Sequence, residues 1–227
     1  MNTKKLCLAM LMAGGLGASA AATAVDLTFE GNFVNDNDVL KFSFSLDTAK
    51  TVTVFSSSWL YGDPPAGAGV GGFDPMLAIW TAAGTLIYEQ DDGNNVGTTE
   101  VNGTSYNHGV WDSYYTVSLD AGSYLASVTQ FDNFAVGNTL AEGFDRDGNP
   151  NFTFDDGFGG ATQPLFNGVW DLDFGAQDDN DPRTSFWRFH LLNVDEAAVV
   201  TVPEPGSIAL LGLGLAGLAA IRRRKAA

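Results

Sequence analysis

The chain has 227 residues, with 27 acidic side chains against 11 basic ones, a formal net charge of −16 and a single cysteine. Lys4, Lys5 and the closing block Arg222 to Lys225 account for six of the basic residues. Only Lys41, Lys50, Arg146, Arg183 and Arg188 then stand against 26 of the acids between Val25 and Val202, a net charge near −21. Such a body repels nucleic acid and anionic lipid surfaces, and it is long enough for one domain with a substantial core.

The first 24 residues have the form of an export signal: Lys4 and Lys5, an apolar stretch from Leu6 to about Leu16, then small residues. Ala22-Thr23-Ala24 offers a cleavage site that leaves Val25 first, and Ala20-Ala21-Ala22 competes with it. Cys7 lies inside this segment and would leave with it. The exported body then has no thiol for a disulfide, a nucleophile or a zinc-thiolate site.

Strand signals begin at once. Leu27, Phe29 and Phe33 precede the turn Asn35-Asp36-Asn37-Asp38, and Leu40, Phe42, Phe44 and Leu46 alternate with polar residues at a period of two. Val52 and Val54 continue the pattern. Gly62 to Gly72, rich in Gly and Pro, reads as a loop. The stretches MLAIW and TLIYEQ flank Ala83-Gly84 and end at Asp91-Asp92-Gly93, which reads as a β-hairpin.

Asn94 to Gly109 is polar and reads as a long loop. Tyr115, Val117 and Leu119 make a strand, Asp120-Ala121-Gly122 a turn, and Tyr124, Ala126 and Val128 the returning strand. Gly137 to Ala161 is expected to be mostly loop, Val169 to Phe174 a short strand, Phe186 to Leu192 the last strand, and Val194 to Thr201 a link to the tail. No amphipathic helix is evident in the body. Short strands between Gly/Asp/Asn turns predict an all-β fold, an antiparallel β-sandwich of jelly-roll-like type over about residues 25–198.

The tail Val202-Pro203-Glu204-Pro205 leads into Ile208 to Ile221, an apolar run without one polar side chain, and then Arg222, Arg223, Arg224 and Lys225. A membrane-spanning helix needs about 20 apolar residues, so this run is short for a permanent anchor. The prolines keep its entry extended, and the basic block holds the chain end on the cytoplasmic side. These three parts in order resemble the PEP-CTERM sorting signal of Gram-negative bacteria, a tail also labelled as the C-terminus of ice-binding proteins. The resemblance implies export through the translocon, a transient stop in the inner membrane and processing by an exosortase. It also implies a destination at the outer surface or in an exopolysaccharide matrix.

A second resemblance covers about Leu27 to Val128. Phe73-Asp74-Pro75, Gly84, Asp91-Asp92-Gly93 and Ala121-Gly122-Ser123-Tyr124 through Val128 follow one another as in bacterial pre-peptidase C-terminal β-sandwiches. That likeness implies a non-catalytic accessory module of the kind that holds secreted enzymes to polymers or surfaces.

Chemistry is sparse. A hydrolase needs a nucleophile with its base, or two carboxylates in a pocket. The only histidines are His108 and His190, and no nucleophile-elbow or zinc-helix motif occurs. The acidic turns have better material. Asp36 and Asp38, Asp91 and Asp92, and Asp112 sit at strand ends that can meet at one end of a sandwich, where they either converge on calcium or stay solvated turns. Asp145-Arg146-Asp147-Gly148-Asn149 has its glycine too early for an EF-hand and is expected to be a plain turn. The expected function is a non-enzymatic structural or binding protein of the extracellular matrix, with calcium as its one expected cofactor. The alternatives are a carbohydrate-active or other secreted enzyme, and a self-associating, calcium-dependent adhesion protein.

Overall fold

A computed structural model describes residues 24–59, 71–93, 95–168 and 183–200. The sorting residues Val202, Pro203, Glu204, Pro205, Arg222, Arg223 and Arg224, the export signal and the strand expected at Val169–Phe174 lie outside the described residues.

Eleven strands are described: β1 (Val25–Asn32), β2 (Leu40–Leu46), β3 (Lys50–Ser56), β4 (Pro75–Thr81), β5 (Leu86–Gln90), β6 (Gly97–Val101), β7 (Thr104–His108), β8 (Tyr114–Leu119), β9 (Gly122–Gln130), β10 (Phe186–Val194) and β11 (Glu196–Val199). One sheet runs β1-β10-β3-β8 and the other β11-β2-β9-β4-β5, and every pairing in them is antiparallel. The two sheets pack like a sandwich. Strand alternation decides the inner faces: Phe42, Phe44 and Leu46, Val52 and Val54, Leu77 and Ile79, and Trp187, Phe189 and Leu191 meet in one core. Phe42 lies between Phe29, Phe189 and Trp187, at ring-centre distances of 4.7, 4.7 and 6.0 Å. Burying each such ring contributes about 1.5–3 kcal/mol.

Three features depart from what the local sequence indicates. The stretch expected to be a loop, Asn94 to Gly109, contains the hairpin β6–β7, registered from Gly97↔His108 to Val101↔Thr104. Its turn is Asn102-Gly103, both at positive φ (51° and 79°), the conformation that an Asn-Gly hairpin turn requires. The alternation there is of Thr, Ser and Asn, so a hydrophobic pattern cannot reveal it. The link expected after Val194 instead forms β11, pairing Glu196 to Val199 with Ser45 to Phe42. A single-turn α-helix, α1 (Phe152–Asp155), and two 3-10 turns interrupt the long loop after β9.

Two strands are buried on both faces. In β4 the inner residues Leu77 and Ile79 face the core, while Ala78 and Trp80 are covered by the loop carrying Ala135, Leu140 and Phe144. In β10 the outward His190 is covered by β6–β7: the Tyr106 ring lies 4.3 Å from it and Phe55 stacks at 4.1 Å. Among the described residues no helix is long and apolar enough to cross a membrane.

Candidate metal centre

The β4–β5 hairpin brings its two acidic ends together. Leu77 pairs with Gln90, so the residues before β4 and those after β5 emerge side by side. Pro75 opens β4, a position where its missing N–H costs the sheet nothing, and Asp74 precedes it. Asp91 and Asp92 follow Gln90 directly.

Carboxylate oxygens of Asp74, Asp91 and Asp92 lie within 4.8 Å of one another. Two oxygens bound to one calcium at 2.3–2.6 Å can be at most about that far apart, so the spacing matches a shared cation. Asp74 is 3 % exposed. Its Oδ1, and Oδ1 of both Asp91 and Asp92, are buried without a hydrogen-bond partner among the described residues. Such atoms are costly unless something else satisfies them.

The surroundings fix these groups in place. Asp74 O accepts from Phe131 N at 2.7 Å. The Ser113 hydroxyl lies against three carbonyls, Pro75 O at 2.7 Å, Gln90 O at 3.1 Å and Asp91 O. Gly93 N donates to Asp112 O at 3.0 Å, and a Cβ at Gly93 would stand 2.6 Å from both Asp112 O and Tyr114 N, so only glycine allows this approach.

The electrostatics agree with a crowd of buried carboxyls whose charge is only partly offset. Burial, then the charges of Asp91, Asp92 and Asp112, hold the Asp74 carboxyl well above the usual range, with Arg183 opposing them. Burial, then Asp92 and Glu89, push Asp91 up to about 7, and burial pushes Asp92 up to about 6. The triad can therefore hold a metal ion. An all-oxygen, all-carboxylate donor set suits a hard cation and offers none of the nitrogen or sulfur ligands that zinc and copper favour.

Of the five aspartates expected to bind calcium, the structure brings two into the triad. Asp112 lies close enough for its charge to act on Asp74, yet its own oxygens serve protein donors. Ser56 Oγ, Ser58 N and Trp59 N donate to Oδ1 at 2.9, 3.0 and 3.1 Å, and Gly109 N donates to Oδ2 at 2.9 Å. Asp36 is fully buried elsewhere. Thr153 N and Oγ1 donate to its Oδ2 at 3.0 and 2.6 Å, and Phe166 N to its Oδ1 at 2.7 Å. Asp38 closes its own turn, accepting from Val34 N and Asn35 N at 2.6 and 3.0 Å. The segment Asp145 to Asn149 is a plain turn, with Asn149 N bonded to Arg146 O at 3.0 Å.

Asp74 is the member of the triad that the expected set lacks. Its sequence signal was the Phe-Asp-Pro placement at the head of a strand whose hairpin partner ends in Asp-Asp-Gly. Asp36 has a different role, pinning residues 150–167 to the turn after β1. Asp36→Ala leaves three donors unmet and is expected to cost about 3 kcal/mol in urea unfolding, with calcium affinity unchanged by calorimetry.

The two histidines are also brought together, though for packing. His190 Nε2 lies 2.8 Å from Ser57 Oγ and its Nδ1 lies 2.9 Å from Thr28 Oγ1. Ser57 is 1 % exposed and His190 0 %. Burial, then Arg188 and His108, lower His190 to about 3, so the ring is neutral at any ordinary pH. The His108 ring stands 5.5 Å from Phe55, on which His190 stacks.

Outside this body, residues 201–225 match the model for the PEP-CTERM protein-sorting motif. That motif marks an exported protein that is sorted to the cell surface and processed by exosortase. No curated protein matches the chain.

Proposed function

We propose that this protein is a non-catalytic, surface-sorted β-sandwich of the extracellular polysaccharide matrix, and that the Asp74–Asp91–Asp92 triad holds calcium as a structural ion. The observation that carries the reading is the joining of a sorting tail at residues 201–225 to a body whose one convergence of unpartnered buried oxygens is made of carboxylates among the described residues. Calcium is abundant outside cells, where even a weak carboxylate site fills. The sandwich, whose chain crosses repeatedly between its two sheets, and the resemblance of the sequence from Leu27 to Val128 to accessory modules support a binding or scaffolding role.

The enzymatic alternative has less support. The Ser57–His190 pair has the spacing of a nucleophile and base, but both are sealed from solvent and Thr28 stands where a carboxylate would orient the ring. An open groove of about 620 Å³ between β1 and β11 carries Asp195 and Glu196. Asp195 is tied to Lys50 and to the Asp47 amide, and no histidine lines the groove.

Isothermal calorimetry tests the calcium reading. Full-length protein is expected to bind one calcium per chain, with affinity lost in Asp91→Asn and preserved in Asp38→Asn. Absence of calcium heat from the wild type removes the calcium reading. Hydrolysis of a matrix glycan by the wild type would overturn the non-catalytic one.

A further inference from the structure

Segments remote in sequence meet at the triad. Asp74 comes from the stretch entering β4, Asp91 and Asp92 from the turn leaving β5, and residues 109–113 pack on that turn through Gly93 N to Asp112 O and through Ser113 Oγ. Asp112 then grips the Ser58 and Trp59 amides, Gly72 N bonds Ser58 O at 2.7 Å, and Arg183 bonds Gly72 O and Trp59 O at 2.9 and 2.7 Å. The whole joint is a chain of protein–protein hydrogen bonds with one gap at its centre. Asp74, 97 % buried by its 3 % exposure, aims an unpartnered oxygen at two further carboxylates. Gln130, paired with Pro75, also buries an oxygen without a donor.

We infer that this end of the sandwich is a cation-dependent lock: residues 71–75, 91–93 and 109–113 close tightly on one another only when calcium occupies the triad, so the fold is completed after export. The inference rests on the calcium reading above. Without the ion, closure draws three carboxyl groups together away from water with no partner for their buried oxygens, and the joint relaxes outward to rehydrate them. With it, repulsion becomes shared attraction. The hydrophobic core through Phe42, Ile79 and Phe189 does not depend on the lock, so loosening stays local. The cytoplasm holds far less free calcium than the cell exterior. The lock is therefore open where the chain is made and shut where it works.

Hydrogen exchange on the full-length protein, with calcium alone as the added ligand, tests this. At calcium 100 times its dissociation constant, the Ser58, Gly72 and Gly93 amides are expected to exchange about 100-fold more slowly than in chelator. Amides in the centre of β9 change little. The double variant D91N/D92N, which leaves one charge, is expected to protect the same amides with or without calcium. Calcium heat in calorimetry with identical exchange in calcium and chelator would overturn the lock and leave the calcium site standing. Absence of calcium heat would overturn both. If the double variant does not fold, the wild-type comparison alone decides.

Discussion

The melting temperature in saturating calcium is expected to exceed that in chelator by about 5–11 °C at pH 8, and to converge on it at pH 5. Calcium at 100 times its dissociation constant stabilises the folded state by about 2.7 kcal/mol, and each kcal/mol moves the midpoint by about 2–4 °C in a chain of this size. The pH dependence comes from competition between protons and the cation for the same oxygens. Asp91 is raised to about 7, Asp92 to about 6 and Asp74 well above its ordinary value, each first by burial.

A raised pKa means that the folded protein without calcium retains protons that the unfolded chain has released. Its stability from these groups is full below the unfolded carboxylate range and is lost as pH rises through about 6 to 7. Calcium restores it where the protons have gone. Glu89 and Asp36, also raised, act in the same direction, whereas His190, lowered to about 3, acts in the opposite one. None of these three belongs to the triad, so their effects largely cancel in the difference between the two melting curves. Parallel thermal melts from pH 4.5 to 8 measure that difference, and a gap independent of pH would remove the triad as the binding site.

Asp112→Ala is expected to be the most damaging single change, costing about 4 kcal/mol in chemical denaturation with or without calcium. Four donors, Ser56 Oγ and the amides of Ser58, Trp59 and Gly109, lose their acceptor together. Each buried donor left unmet costs about 1–3 kcal/mol, and water entering the vacated space keeps the sum toward the lower end. Asp112→Asn keeps the size but turns an amide NH₂ toward backbone donors, so it is expected to recover only part of the loss. A calcium ligand would behave otherwise: its loss would be felt strongly with calcium and weakly in chelator. Asp91→Asn is expected to show that second pattern, and the contrast separates ion ligands from backbone clamps.

That contrast also locates the limit of sequence reasoning here. Asp36, Asp91, Asp92 and Asp112 all sit in polar turns at strand ends, and an aspartate there can cap backbone amides or bind an ion. Which it does depends on the donors that distant segments bring within 3 Å. Phe166 and Thr153 reach Asp36, Ser58 and Trp59 reach Asp112, and no donor among the described residues reaches Oδ1 of Asp74, Asp91 or Asp92. His190 is a similar case. Its strand alternates legibly, but its burial is decided by a polar hairpin that closes over it.

Local sequence by itself determined the period-two strands, the β4–β5 hairpin with its Gly84 turn, the thiol-free acidic body and the tail motif matched at residues 201–225, because each depends on neighbours in the chain. Only the tertiary structure decided the sheet order, the β6–β7 cover and the burial of Asp74, Asp91 and Asp92 away from backbone donors. Those depend on side chains whose partners are tens of residues away, and a carboxylate's role is set by whichever hydrogen-bond donors, or lack of them, packing places around it.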